Sequence, residues 1–217
     1  MKKSVFSSVV IGLVILGLTE SGASSISDEK QLSIVKQDYH KIKNFENPNK
    51  QTQLIAVQQS WHAIKLIKNP DKAAQIAAIG QSWHAIKYIE NPDKETQLLA
   101  LKEDKNAIQF ISNPDKEIQL AAVKESYYMI KKIQNPSKEA QLEAIKQSYH
   151  AIEYIKNPDE DAQLAAINQD ARAIEFIKAP SKKVQLAAVE KNYRVIKLIK
   201  DPDSAAVKLA YIGIMSR

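Results

Sequence analysis

Isoleucine stands at 42, 64, 86, 108, 130, 152, 174 and 196, each 22 residues after the last. Other apolar positions keep the same interval. Leu54, Ile76, Leu98, Leu120, Leu142, Leu164 and Leu186 form a second column, and Val57, Ile79, Leu101, Val123, Ile145, Ile167 and Val189 a third. All eight prolines, from Pro48 to Pro202, fall into this register. A fixed period of this length is the mark of a repeat architecture. Counted from the residue before proline, repeats start near 25, 47, 69, 91, 113, 135, 157, 179 and 201, eight full and one partial. The apolar columns are then positions 8, 11, 18 and 21, with alanine at position 10 from Ala56 onward.

Two polar columns mark where elements begin. Position 3 is Asn49, Asp71, Asp93, Asp115, Ser137, Asp159, Ser181 and Asp203. Position 14 is Asp38, Ser60, Ser82, Asp104, Ser126, Ser148, Asp170 and Asn192. Such side chains accept hydrogen bonds from the free N–H groups of a helix start. Each repeat therefore predicts two helices, one over positions 4 to 12 or 13 and one over 15 to 22. Asn at position 1 suits the left-handed residue that ends a helix, and proline follows because it cannot continue one. A single helix of about 20 residues would also align positions 8, 11, 15 and 18. The cap residues at position 14, poor helix formers, and an apolar pattern that continues at 21 rather than 22 favour two short helices.

Helices this short do not stand alone in water. Each repeat has to bury its stripe on its neighbours, so the expected fold is all-α: an α-solenoid of 22-residue tandem repeats filling one domain, residues 24–217. Repeats such as NPDKEIQLAAVKESYYMIKKIQ (113–134) and NPDEDAQLAAINQDARAIEFIK (157–178) resemble the N-P-x-x-x-x-Q-L-A-A-V helical repeats of bacterial, phage and giant-virus proteins. The resemblance covers residues 25 to about 212, and the repeats here are richer in lysine. That family has no assigned function, so the resemblance implies tandem helical repeats and no catalytic residue.

Composition adds little to the fold but removes chemistry. With 44% hydrophobic and 26% charged residues the chain is globular in type. The absence of cysteine excludes disulfides and zinc–thiolate sites. The N-terminus adds a compartment. Lys2 and Lys3 precede an apolar run from Val5 to Leu18, and Ser21-Gly22-Ala23 suits a cut after Ala23. Residues 1–23 therefore read as a secretory signal peptide, giving a periplasmic or secreted protein. An uncleaved signal anchored in the inner membrane is the alternative. Removing 1–23 takes away Lys2, Lys3 and Glu20 and leaves a net charge of +5.

Glutamine fills position 7 in all eight full repeats, from Gln31 to Gln185, which suits a structural hydrogen bond at the Asn-Pro corner. All four histidines fall at position 16: His40, His62, His84 and His150. Metal binding is not expected. Equivalent residues of stacked layers lie about 10 Å apart, whereas ligands sit about 2 Å from a shared zinc ion. No nucleophile–base–acid constellation stands out, so neither an enzyme nor a cofactor is expected. Position 15 is aromatic in six of eight full repeats. Positions 15 and 16 together form a column of aromatic, His and Arg side chains, the composition of binding hot spots. The candidate partner-binding edge is Trp61, His62, Trp83, His84, Tyr127, Tyr128, Tyr149, His150, Arg172 and Arg194. Repeats that depart from the column, at Lys105-Asn106 and Ala171-Arg172, are where specificity would reside.

Lysines at positions 19 and 22 share their columns with Glu46, Glu90, Glu153 and Glu175. An uninterrupted basic stripe is lacking, so no nucleic acid is expected. A weak attraction to anionic envelope surfaces is expected instead. The last segment, LAYIGIMSR (209–217), is apolar where solenoids carry a polar cap, which marks it for folding back or self-association. The function expected from these features is an exported, non-enzymatic scaffold that binds a protein partner, for example an immunity or inhibitor protein masking a toxin or envelope enzyme. The alternative is an envelope-associated structural protein that self-assembles or binds anionic glycan or lipid.

Overall fold

The computed structural model describes residues 26–216. The signal segment expected at 1–23 lies outside the described residues. The described residues divide into two compact halves, 26–113 and 114–216. Among the described residues every element is helical. In the N-terminal half four layers follow one another, each an α-helix and a 3₁₀ helix: α1 (Ile26–Gln37) and η1 (Tyr39–Asn44), α2 (Lys50–Gln59) and η2 (Trp61–Leu66), α3 (Lys72–Gln81) and η3 (Trp83–Tyr88), α4 (Lys94–Glu103) and η4 (Lys105–Phe110). The C-terminal half has four more layers and a final helix. These are α5 (Lys116–Glu125) and η5 (Tyr127–Lys132), α6 (Lys138–Gln147) and η6 (Tyr149–Tyr154), α7 (Glu160–Gln169) and η7 (Ala171–Phe176), α8 (Lys182–Lys191) and η8 (Tyr193–Leu198), and α9 (Ser204–Met215). Within each half every α-helix packs on the next α-helix and every 3₁₀ helix on the next 3₁₀ helix. Each half is thus an α-solenoid of 22-residue repeats.

The break within each repeat is made at position 14. Ser60 is extended, with φ −160° and ψ 130°. Its N–H still bonds back to Ala56 O at 3.2 Å, closing α2, while its carbonyl accepts from Ala63 N at 2.9 Å, opening η2. The second helix is therefore of 3₁₀ type and ends at position 20, which corrects the expected span of 15 to 22. A 3₁₀ helix turns every three residues. Positions 15, 18 and 21 then lie one above another, and these are the aromatic and isoleucine columns. Positions 16 and 19 form a second file along the same short helix. The expectation for Asn at position 1 holds in part, because among the described residues only Asn91 (φ 49°) and Asn113 (φ 50°) are left-handed.

Positions 10, 11, 17, 18 and 21 build the core, as in Ala56, Val57, Ala63, Ile64 and Ile67. Position 6 belongs to it too, with Thr52, Ala74, Thr96, Ile118, Ala140, Ala162 and Val184 all fully buried. The leucines of position 8 are half-buried except Leu54.

Glutamines join the layers. Gln53 Nε2 donates to Pro48 O in its own layer at 2.8 Å, and its Oε1 accepts from Asp71 N in the next at 2.8 Å. Gln119 and Gln185 make the same pair of bonds, to Pro114 and Ser137 and to Pro180 and Asp203. The corner role expected of position 7 is what the geometry shows. A second glutamine, at position 13, reaches backwards: Gln59 donates to Val35 O, Gln81 to Val57 O and Gln147 to Val123 O, at 2.7–2.8 Å.

Candidate functional site: a stacked aromatic and histidine edge

Positions 15 and 16 begin each 3₁₀ helix, where the cap residue fixes the backbone. Asp38, Ser60, Asp104, Ser148, Asp170 and Asn192 accept the N–H of the residue two ahead. The adjoining side chains are thereby set side by side and stack. In the N-terminal half the ring centroids of Tyr39 and His40 lie 4.0 Å apart, those of Trp61 and His62 3.9 Å, and those of Trp83 and His84 3.7 Å, all within 28° of parallel. Trp61 and Trp83 are half-buried, whereas His40, His62 and His84 are exposed. Each inner ring is a floor that orients an outer imidazole.

The stacks connect across layers through residues that the sequence reading passed over. Trp61 meets Tyr88 of the next layer at 6.4 Å, and Trp83 meets Phe110 at 5.8 Å. Lysine heads fill the spaces between rings. Lys65 Nζ sits 5.2 Å from the Trp61 ring and 4.5 Å from Tyr88, and Lys87 Nζ 5.8 Å from Tyr88 and 5.7 Å from Phe110. A cation over an aromatic face is attracted by the ring quadrupole. The signal for position 20 was present as Tyr88, Phe110, Tyr154 and Phe176, aromatic in half of the full repeats.

The C-terminal half carries a mixed edge. Tyr127 stacks on Tyr128 at 4.3 Å, and Tyr128 meets Tyr154 at 5.3 Å with Lys131 above both rings. Hydrogen bonding with Tyr127 and Tyr154 holds the Tyr128 phenol below the usual phenol value, and its partners are correspondingly pushed up. Tyr149 stacks on His150 at 4.0 Å, and His150 meets Phe176 at 6.0 Å. Arg172, on the candidate edge, is paired with the cap residue of its own helix. Its Nε lies 3.1 Å from both Asp170 oxygens and its Nη2 2.6 Å from Oδ2, so much of its charge is answered locally. That ion pair holds the Asp170 carboxyl below its usual range and raises the guanidinium. Arg194 instead lies over the Tyr193 ring at 5.7 Å.

Chemically the edge offers flat apolar surface, N–H donors and cations. Among the described residues no group of three or more His, Asp or Glu is placed to hold a metal ion. No family model matches the chain, and neither a curated protein nor a solved structure matches it.

Proposed function

We propose that this chain is a non-enzymatic scaffold that binds a protein partner through the stacked edge formed by positions 15, 16 and 19. The supporting observation is the run of exposed imidazoles at His40, His62 and His84, each backed by a half-buried ring and flanked by lysine. A rigid row costs little entropy to present, because the stacking and the cap hydrogen bonds already hold each rotamer. Export to the periplasm or beyond is proposed on the signal-like residues 1–23, and an immunity or inhibitor role is the concrete version proposed. The resemblance to N-P-x-x-x-x-Q-L-A-A-V repeats fits a scaffold and adds no activity.

The test is affinity purification from the native host with the full chain and with His62→Ala/His84→Ala. One protein should copurify with the wild type and be lost from the variant, whose circular dichroism and melting curve stay unchanged. Equal recovery on the two baits would sink the proposal.

A second reading has its own observation. Tyr211, Ile212, Ile214 and Met215 on α9 are 53–82% exposed, an apolar cluster suited to self-association. Sedimentation over a hundredfold concentration range would reveal it, and Tyr211→Glu/Met215→Glu should leave a single species of monomer mass.

A further inference from the structure

The cap residues do more at this edge than start a helix, because they also contact the imidazole two residues on. Asp38 Oδ1 lies 2.8 Å from His40 Nδ1, Ser60 Oγ 3.3 Å from His62 Nδ1, and Ser82 Oγ 3.4 Å from His84 Nδ1. A carboxylate can only accept, so His40 carries its proton on Nδ1 and presents Nε2 as an acceptor. A serine hydroxyl has a proton to give. Ser60 Oγ accepts the His62 backbone N–H at 3.3 Å and has its own hydrogen free to donate to Nδ1, an arrangement that suits a ring proton on Nε2. With that tautomer His62 points an N–H donor to solvent, and His84, whose Nδ1 lies 3.4 Å from Ser82 Oγ, can do the same.

Position 19 follows position 16 by one 3₁₀ turn, about 6 Å further along the axis. Lys65 accompanies His62 in this way, and Lys87 accompanies His84. Across the four layers of the N-terminal half, positions 15, 16 and 19 hold no carboxylate at all. Lys72 by contrast, in the position 4 file of the same half, is paired with Asp93 and Glu95. At its second and third layers, with His62, Lys65, His84 and Lys87, the stacked edge therefore offers donors and cations without a carboxylate, and its natural complement there is a row of carboxylates.

Spacing selects the backbone that carries them. Stacked helices repeat every 8–10 Å, roughly. A polyproline-II chain turns once in three residues and rises about 9 Å per turn, so every third side chain falls on one face at the layer interval. A β-strand puts residues three apart on opposite faces, and an α-helix repeats every 5.4 Å, approximately. Aromatic-lined grooves are also the surfaces on which polyproline-II segments dock. Resting on the partner-binding role proposed above, we infer that the N-terminal half binds an acidic polyproline-II segment of its partner. One carboxylate engages His62 and Lys65, the next engages His84 and Lys87, and the chain runs along the exposed imidazoles that cover Trp61 and Trp83.

Trp61 and Trp83 are the only two tryptophans, so their fluorescence reports occupancy directly. The probes are three soluble peptides: (Glu-Pro-Pro)₄, (Gln-Pro-Pro)₄, and a peptide of the first composition with its four glutamates adjacent. The first should bind at least about tenfold more tightly than either other, the effect expected for charge-assisted hydrogen bonds. His62→Ala/His84→Ala should weaken it about tenfold or more. His62→Gln/His84→Gln, which keeps an N–H donor, should bind more tightly than the alanine variant. Nitrogen-15 NMR should place the proton on Nε2 in His62 and His84 and on Nδ1 in His40. Equal affinity for the three peptides, tighter binding of hyaluronan, or an Nδ1 proton on His62 would each overturn the inference. A copurified partner that is lost from the alanine variant yet not displaced by (Glu-Pro-Pro)₄ overturns the acidic segment alone. A partner that the alanine variant retains overturns the edge as well.

Discussion

The side chain of Gln81 takes up the hydrogen bond that the main chain drops at Trp61. In a continuous helix Trp61 N would bond to Val57 O, four residues back. The extended Ser60 separates them, and the Gln81 amide of the next layer donates to Val57 O at 2.7 Å while accepting from Trp61 N at 3.0 Å. One carboxamide thus satisfies both orphaned groups. Gln147 does the same for Val123 and Tyr127.

Replacing this amide should cost stability. Gln81→Ala removes two partly exposed hydrogen bonds and should lower unfolding free energy by about 1–2 kcal/mol. Gln81→Glu should fare no better than alanine, since a carboxylate cannot donate to the Val57 carbonyl. Urea denaturation of the three proteins measures the difference, and a glutamate variant as stable as wild type would contradict the role assigned.

The buried hydroxyl of Thr52 predicts a gain. Thr52 is fully buried and its Oγ1 has no hydrogen-bond partner. Its column accepts Val184 and Ile118 in the other half. Thr52→Val should therefore stabilise by about 1 kcal/mol, the desolvation of an unmet hydroxyl. A lower denaturation midpoint would show that Oγ1 is better satisfied than this.

Two glycines in helices should respond to alanine with opposite signs. A Cβ at Gly80 would meet nothing within 4 Å, so Gly80→Ala should stabilise α3 by about 0.5–1 kcal/mol through helix propensity. A Cβ at Gly213 would sit 2.9 Å from Tyr193 Cβ, and α9 would have to move off the last layer. Gly213→Ala should therefore destabilise, by about 1–3 kcal/mol if overpacking dominates. Thermal melts of the two variants against wild type decide both.

Asp93 gives the fold a defined acid response. Its carboxylate accepts from Thr96 N at 2.8 Å and pairs with Lys72, and its pKa is drawn down to about 2, chiefly by the Thr96 backbone bond. The folded value lies below the ordinary one near 3.8, so this contribution is fully present above that value and is lost as pH falls towards 2. Asp93→Ala should cost about 1 kcal/mol at neutral pH, as lost helix caps do. The gap between variant and wild type should narrow between pH 4 and pH 2, approximately over the interval set by linkage. A gap independent of pH would assign the cap to something other than the ionised carboxylate.

Much of this was legible in the residues. The repeat length, both cap columns, the core files and the corner glutamine are local or periodic properties, and they stand in the sequence 22 residues apart. The 3₁₀ helix was legible only indirectly. Its mark is the three-residue step from Trp61 to Ile64 to Ile67, which a reader expecting α-helices takes for a phase shift. Position 6 escaped because Thr52 and Thr96 are polar by type, and burial depends on the neighbouring layer. The site was half visible: His62 and Trp61 are adjacent in sequence, but which ring faces solvent depends on the cap geometry. Tyr88 and Phe110 reach the edge from the following layer, and Asp170 quiets Arg172 through a rotamer that no column of letters records.

Where they join layers, the glutamine side chains at positions 7 and 13 hydrogen-bond main-chain carbonyls and N–H groups, which every residue but proline supplies alike. A layer is therefore recognised by its neighbour without regard to which side chains it displays. Exchange, loss or duplication of one whole 22-residue block keeps the glutamine of position 7, so recombination can reshuffle the displayed rows while the stack itself stays legible to its own parts.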